Sequence, residues 1–182
     1  MIYLIGKKVS GMKSKNNNLQ LYYSIYQTPL SELLYIYTED EELYHIQWIV
    51  DNNYKEKLNG IILKIWDNFE NQLILYFDGK LKIFDVKLYK FKYPDFTDKV
   101  LKELRKIPYG KTLSYKEVAE KLGKPSASRA VGNACKKNYF PIIIPCHRVI
   151  SSSGLGGYMG KTGDSRELEL KKRLLELERS FN

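Results

Sequence analysis

The sequence predicts an α+β fold in two parts: a Tyr-rich sheet with one helix in residues 1–92, and short helices in residues 93–182. Residues before Tyr93-Pro94 form Tyr-, Ile- and Leu-rich segments separated by turn signals, which is typical of strands. Residues after it place apolar side chains at helical spacing, interrupted by Pro and Gly. A 43% hydrophobic content over 182 residues can build a core and excludes a wholly disordered chain.

Three strands are predicted in the first part, at residues 19–26, 31–37 and 42–50, with Thr28-Pro29 as a turn between the first two. Apolar residues at helical spacing predict a helix over residues 55–69. Residues 72–77 and 81–88 flank Asp78-Gly79, a pair that favours a tight hairpin.

Four helices are predicted in the second part. The first covers residues 96–107 and stops at Pro108-Tyr109-Gly110. Ser114 and Glu117 have the spacing of a capping box, opening a helix through Leu122 that Gly123 can terminate. The next helix runs from Pro125-Ser126 to about Lys136, and the last covers residues 164–179.

The two middle helices, joined by a Gly-containing turn, have the pattern of a helix-turn-helix. The second of them is rich in small residues: Ala127, Ser128, Ala130, Gly132 and Ala134. Small side chains let a helix approach another surface closely, and they serve equally for tight packing between helices. Spacing alone leaves both readings open.

The net charge of +9 is concentrated in residues 99–148, where 12 basic residues accompany 3 acidic ones. Such a segment suggests an anionic partner, above all nucleic acid; a merely solvated basic face is the alternative, and charge alone does not separate the two.

No apolar run of about 18 residues occurs, so we expect no spanning helix. The N-terminal MIYLIGKKVSG is too short and wrongly flanked for a secretory signal. Two cysteines, Cys135 and Cys146, are too few for a disulfide scaffold, and we expect a cytoplasmic protein.

The segment Pro141-Ile-Ile-Ile-Pro-Cys-His-Arg-Val149 contains the candidate catalytic residues. Three β-branched residues between prolines predict a stiff, buried, extended segment that delivers Cys146 and His147 to a cleft. An imidazole that takes the thiol proton would activate the thiol as a nucleophile. Because neighbours in an extended segment point to opposite faces, His147 would reach the thiol through a water or a bent backbone. A structural buried thiol is the alternative.

This segment closely resembles the active-site signature of the O6-alkylguanine-DNA alkyltransferases, the methylated-DNA–protein cysteine methyltransferases. The resemblance extends over residues 94–180 and includes Ser114-Tyr115, Ser128-Arg-Ala-Val-Gly-Asn-Ala134, Asn138, Ser152-Ser-Gly154, Gly157-Tyr158 and a final Leu-Leu-x-x-Glu at Glu178. It implies a ribonuclease-H-like N-terminal domain followed by a helical DNA-binding and catalytic domain. It also implies a monomer, without cofactor, that binds duplex DNA from the minor-groove side and flips out the damaged nucleotide.

The resemblance assigns catalytic roles to five residues. Glu178 orients His147, which deprotonates Cys146 through a bridging water. Tyr115 donates to the departing guanine, and Asn138 helps to hold the thiolate. The reaction it implies is an irreversible, single-turnover transfer of the alkyl group from O6-alkylguanine, or less readily O4-alkylthymine, to Cys146.

By the same resemblance, the substrate pocket consists of Val149, Ser152, Ser153, Tyr158 and Cys135. Cys135 is either simple packing or an adventitious alkylation site. The DNA-binding residues would be Arg129, Thr97, Tyr115, Lys116, Lys124 and Ser152. Arg129 would fill the space that the flipped base leaves, with an ordinary phosphate contact as the alternative.

One departure from the family concerns metal. Some relatives carry a structural zinc held by Cys and His residues of the first domain, whereas here that half has no Cys and only His45, so no such site is expected. Two other functions remain as rivals: a non-catalytic lesion binder of the alkyltransferase-like type, which lacks the cysteine, and a thiol hydrolase. Cys146 argues against the first, and the basic helix-turn-helix is not required by the second.

Overall fold

The computed structural model describes residues 20–50, 62–64 and 66–182. Of these, residues up to Lys90 form one compact unit and residues from Phe91 onward form another. The boundary lies two residues before the one expected from the sequence. Within the described residues, no helix combines the length and the apolar character needed to cross a membrane.

The first unit is built on a sheet with the strand order β3-β2-β1-β4. The strands are β1 (Leu21–Gln27), β2 (Glu32–Thr38), β3 (Leu43–Ile49) and β4 (Ile62–Leu63). The first three pair antiparallel and β4 joins β1 in parallel, so the three predicted strands are confirmed. At the predicted turn, the backbone N–H groups of Leu30 and Ser31 donate to the Thr28 hydroxyl.

Helix α1 (Asp67–Phe77) occupies the place of a predicted strand, so the strand at 72–77 and the hairpin at Asp78-Gly79 are wrong. Phe69, Leu73 and Tyr76 lie on its buried face at helical spacing, and packing of that face outweighs the β-propensity of the segment. Gly79 (φ +72°) donates to the Tyr76 carbonyl at 3.0 Å and ends the helix.

Two other predictions for the first unit need correction. Of residues 81–88, only Leu88 pairs with a strand, through an isolated bridge to Leu43. The predicted helix at 55–69 falls largely on residues 55–61 and 65, which lie outside the described residues. Its described portion is not one helix, because Ile62–Leu63 is strand and α1 begins only at Asp67.

The second unit contains four helices and a short parallel strand pair. The helices are α2 (Asp95–Leu104), α3 (Tyr115–Lys121), α4 (Ser128–Lys136) and α5 (Arg166–Ser180), and the strands are β5 (Leu113–Ser114) and β6 (Val149–Ile150). The predicted capping box is confirmed: the Ser114 hydroxyl accepts from the Glu117 N–H, and the Glu117 carboxylate accepts from the Ser114 N–H. Gly123, at φ +69°, follows α3 as predicted.

The segment before Cys146 is buried, as predicted, but it is not extended. Ile142 adopts φ +74°, and the Ile144 N–H donates to the Phe140 carbonyl at 2.8 Å, so residues 141–144 form a turn. The Asn138 side chain binds both ends of this turn, accepting from the Phe140 N–H and donating to the Ile144 carbonyl. These bonds outweigh the extended preference of the β-branched residues. The chain then continues into a short 3₁₀ helix, Cys146–Arg148.

Candidate active site

Cys146 begins the 3₁₀ helix and is 7% exposed. The Asn138 side-chain amide donates to its sulfur at 3.2 Å and to the Ile144 carbonyl at 2.7 Å. One amide therefore supports both the thiol and the turn that leads to it. Burial raises the pKa of Cys146. The hydrogen bond from Asn138 and the charge of Lys171 lower it, but burial has the larger effect. The resting group is therefore a thiol, and it needs a base to become a nucleophile.

His147 lies on the same 3₁₀ helix and is fully buried. Its Nε2 atom is 2.8 Å from Oε1 of Glu178, on α5. Burial lowers the pKa of His147 despite the Glu178 contact, so the imidazole is neutral at neutral pH. A neutral imidazole that donates from Nε2 to a carboxylate carries its lone pair on Nδ1. Nδ1 makes no hydrogen bond with the described residues and can act as a base.

Glu178 accepts hydrogen bonds from Arg148 and Gly110 as well as from His147. Arg148 donates from Nε to Oε2 and from Nη2 to Oε1, both at 2.8 Å, and the Gly110 N–H donates to Oε2 at 3.0 Å. Burial raises the pKa of Glu178, but the hydrogen bonds from His147 and Arg148 and the charge of Arg148 outweigh it and hold the pKa well below its usual range. Glu178 therefore stays ionised and fixes the orientation of the imidazole.

A cavity of about 290 Å³ lies next to the thiol. It brings together five residues that the sequence assigned to the site: Tyr115, Arg129, Cys135, Cys146 and Tyr158. Burial raises the pKa of the Cys135 thiol above its usual range, with a further contribution from Cys146. Of the two thiols on this cavity, only Cys146 has an asparagine donor and a neighbouring imidazole.

Tyr115, the first residue of α3, packs between two glycines. A Cβ on Gly156 would lie 2.9 Å from its ring, and one on Gly132 would lie 3.8 Å away. Burial raises the pKa of Tyr115 to about 12, so it remains a phenol that can donate. Its hydroxyl donates to the Gly157 carbonyl at 3.1 Å.

The predicted DNA-binding residues divide into two groups. Lys116, Lys124, Arg129 and Ser152 are exposed. Tyr115, Lys116, Arg129 and Ser152 line a second cavity of about 310 Å³. Thr97, by contrast, is 7% exposed on the buried face of α2, so the structure does not bring it onto this surface.

Three predicted pocket residues do not line the cavity next to the thiol. Ser152 lines the second cavity instead. Val149 is fully buried and does not line it. Ser153 is exposed and its hydroxyl lies 3.1 Å from that of Ser151.

Residues 95–180 match the family described as 6-O-methylguanine DNA methyltransferase, DNA binding domain. The chain is 40% identical over 160 residues to a methylated-DNA–protein-cysteine methyltransferase of Methanosarcina barkeri, covering 87% of this chain and 97% of the relative. This chain belongs to that family. It is also 39% identical over 166 residues to the constitutive methyltransferase of Bacillus subtilis, covering 87% of this chain and 95% of that relative.

Solved structures of methyltransferases show the same mixed α/β fold. The O6-methylguanine methyltransferase of Mycobacterium tuberculosis superposes with a TM-score of 0.76 at 34% identity, covering 90% of this chain and 95% of that chain. A structure of the Mycobacterium tuberculosis protein in complex with DNA superposes with a TM-score of 0.72, covering 88% and 94% of the two chains.

Two residues of this methyltransferase site were not singled out from the sequence. Arg148 was part of the recognised motif, but nothing local indicated that it binds Glu178, 30 residues away. Lys171 is fully buried in α5. A signal for Lys171 was present, because it lies three, four and seven residues before the buried residues Leu174, Leu175 and Glu178, on the apolar stripe of the helix.

Proposed function

We propose that this chain repairs DNA by transferring the alkyl group of O6-alkylguanine, and less readily of O4-alkylthymine, irreversibly to Cys146. The main support for this proposal is the arrangement of side chains around the Cys146 thiol. Cys146 lies on a cavity, bonded to Asn138, beside a neutral His147 whose orientation is fixed by an ionised Glu178. This is the arrangement that nucleophilic displacement by a cysteine requires.

The proposed transfer uses only side chains of this chain, water and the alkylated base. His147 Nδ1 accepts the thiol proton through a bridging water, and the Cys146 sulfur attacks the alkyl carbon. A carbon–sulfur bond forms as the carbon–oxygen bond to guanine breaks. Tyr115 donates a hydrogen bond that stabilises the negative charge of the departing guanine. The guanine then takes up a proton from water, and the imidazolium of His147 returns one to water. The thioether is stable, so each protein molecule acts once.

We assign DNA binding to α3 and α4, which would form the helix-turn-helix. Exposed Lys116, Lys124 and Arg129 supply positive charge for phosphates, and the small residues of α4 suit a close approach to the minor groove. Arg129 also lines the cavity next to the thiol, which supports its role of occupying the space left by a flipped base. The first unit would be the ribonuclease-H-like domain, and a monomer associated with DNA in the cytoplasm is the expected state.

The test is incubation with duplex DNA that contains O6-methylguanine labelled in the methyl group, followed by intact mass measurement. We expect one methyl group retained per protein. The Cys146→Ala variant should bind DNA without accepting label, and Cys135→Ala, the matched control on the same cavity, should accept label at nearly the normal rate.

The rivals give different outcomes in the same experiment. A lesion binder would retain no label, and a thiol hydrolase would release product continuously. Transfer by Cys146→Ala would assign the nucleophile to Cys135 and overturn the proposal.

A further inference from the structure

Lys171 is a fully buried lysine whose three hydrogen-bond acceptors are all backbone carbonyls. Its Nζ donates to the carbonyls of Val149 at 2.5 Å, Leu155 at 2.7 Å and Gly157 at 3.0 Å. An ammonium group has three N–H bonds, and each has an acceptor here. All three acceptors are neutral.

This arrangement is costly, because burying a charge without an opposite charge is unfavourable. Burial accordingly lowers the pKa of Lys171 to about 8. An apolar side chain at this position of the stripe would pack between Leu170 and Leu174 without that cost. The cation is therefore not explained by the packing of α5, and the carbonyls that it binds indicate its role.

The three carbonyls belong to one segment, residues 149–157, that borders the cavity. This segment contains Ser152 and Ser153, and it ends at Gly157, next to Tyr158 in the cavity wall. Apart from the strand pair at Val149–Ile150 and an isolated bridge between Ser151 and Gly154, it has no regular structure, and neither feature ties its end at Gly157 to its beginning. Lys171 joins its beginning and its end through a single atom.

The Gly157 carbonyl has a second donor, the Tyr115 hydroxyl, at 3.1 Å. A phenol has one proton to donate, so Tyr115 can donate to a departing guanine only by releasing Gly157. Leaving the half-buried Gly157 carbonyl without a donor would cost free energy and oppose that release. Because Lys171 also donates to this carbonyl, Gly157 keeps a partner when the Tyr115 hydroxyl turns away.

We propose that Lys171 is a positioning residue for alkyl transfer: it holds the 149–157 segment against the cavity and frees the Tyr115 hydroxyl to assist the leaving guanine. This inference rests on the proposed function and on the role that it gives to Tyr115. It assigns no proton transfer to Lys171, whose three N–H bonds are engaged by the backbone.

The test compares Lys171→Met with Lys172→Met, the exposed neighbour on the same helix. Two reactions of Cys146 are measured: transfer from O6-methylguanine in duplex DNA, and alkylation by iodoacetamide, whose iodide leaves without a proton. We expect Lys171→Met to slow transfer about 100-fold, the lower range for loss of acid–base assistance. Iodoacetamide labelling should fall by much less than transfer, because loss of the Lys171 charge raises the pKa of Cys146 for both reactions. Affinity for undamaged DNA should stay within about threefold, a change of less than one kilocalorie per mole. Lys172→Met should behave as the unchanged protein.

Two further variants test whether Lys171 acts through the tyrosine and the carbonyls. In a Tyr115→Phe background, Lys171→Met should add little to the loss of transfer, because the hydroxyl that it frees is gone. Lys171→Arg retains charged donors and should recover part of the transfer rate. If Lys171→Met does not fold, Lys171→Gln, which keeps two N–H donors, is measured by the same criteria.

The results of these experiments distinguish a failure of the Lys171 inference from a failure of the proposed alkyl transfer on which it rests. If the unchanged protein accepts no methyl group, the proposed function fails. If it accepts one and the Lys171 variant transfers within about threefold of it, only the Lys171 inference is overturned. An equal loss of guanine transfer and iodoacetamide labelling would also overturn the inference, since it indicates general damage to the site.

Discussion

The imidazole of His147 donates from Nε2 to Oε1 of Glu178 at 2.8 Å, and neither side chain is exposed to solvent. The two residues are 31 positions apart and come from the 3₁₀ helix and from α5. Arg148, adjacent to His147, binds both oxygens of the same carboxylate. This buried group connects the proposed base to the last helix, and it makes stability dependent on pH.

The first prediction concerns stability in acid. The pKa of His147 is lowered from 6.5 and that of Glu178 is lowered from 4.5, so the unfolded chain binds protons that the folded chain does not. The contribution of these two residues to stability should therefore be full above about pH 6.5, begin to fall below it as unfolded His147 becomes protonated, and fall further below about pH 4.5. Calorimetry from neutral to acid pH measures this, and His147→Gln should weaken the dependence in the upper part of the range. An unchanged melting temperature between about pH 7 and 5 would contradict the prediction.

Methylation of Cys146 should destabilise the protein. The thiol is nearly buried and bonded to Asn138, and a thioether accepts hydrogen bonds only weakly. Loss of that bond costs about 0.5–1.5 kcal/mol. Thermal melts of the unreacted and methylated forms should differ accordingly, and the Asn138→Ala variant should show a smaller difference. An equal or higher midpoint after methylation would exclude this coupling.

Gly156 and Gly123 form a matched pair for testing the contact with Tyr115. Both have positive φ, +70° and +69°, so alanine at either position costs about 1–2 kcal/mol in backbone strain. A Cβ on Gly156 would also lie 2.9 Å from the Tyr115 ring and 3.1 Å from the Ser151 nitrogen, whereas Gly123 has open space. Gly156→Ala should therefore destabilise more and slow methyl transfer, while Gly123→Ala should affect stability only. Equal transfer rates in the two variants would show that the close contact has no part in the reaction.

Arg129→Ala should impair repair of duplex DNA more than reaction with a free O6-alkylguanine base. The side chain is exposed on α4 and lines the cavity, where it would occupy the space of the flipped base. Because flipping costs a few kcal/mol, we expect a loss of about 10- to 100-fold on duplex substrate. Lys124→Ala is the control: it should weaken DNA binding and reduce the salt dependence by about one charge, with little effect on the free base. Equal proportional losses on both substrates for Arg129→Ala would argue against a flipping role.

The sequence by itself determined the features that depend on neighbouring residues. The capping box of Ser114 and Glu117 and the end of α3 at Gly123 are interactions within one turn of chain, so residue types at short spacing specify them. Spaced motifs likewise identified the family and brought Cys146, His147 and Glu178 together as candidates.

Tertiary structure decided the features that depend on distant partners. Residues 72–77 became helix because one apolar face packs inside the first unit, although their composition suits a strand equally well. The turn at Ile142 depends on the Asn138 amide, against the local preference of a β-branched residue. The carboxylate shared by His147 and Arg148, and the three carbonyls bound by Lys171, join residues 14 to 31 positions apart. Local propensity carries no information about such contacts, because they form only when packing brings the two segments together.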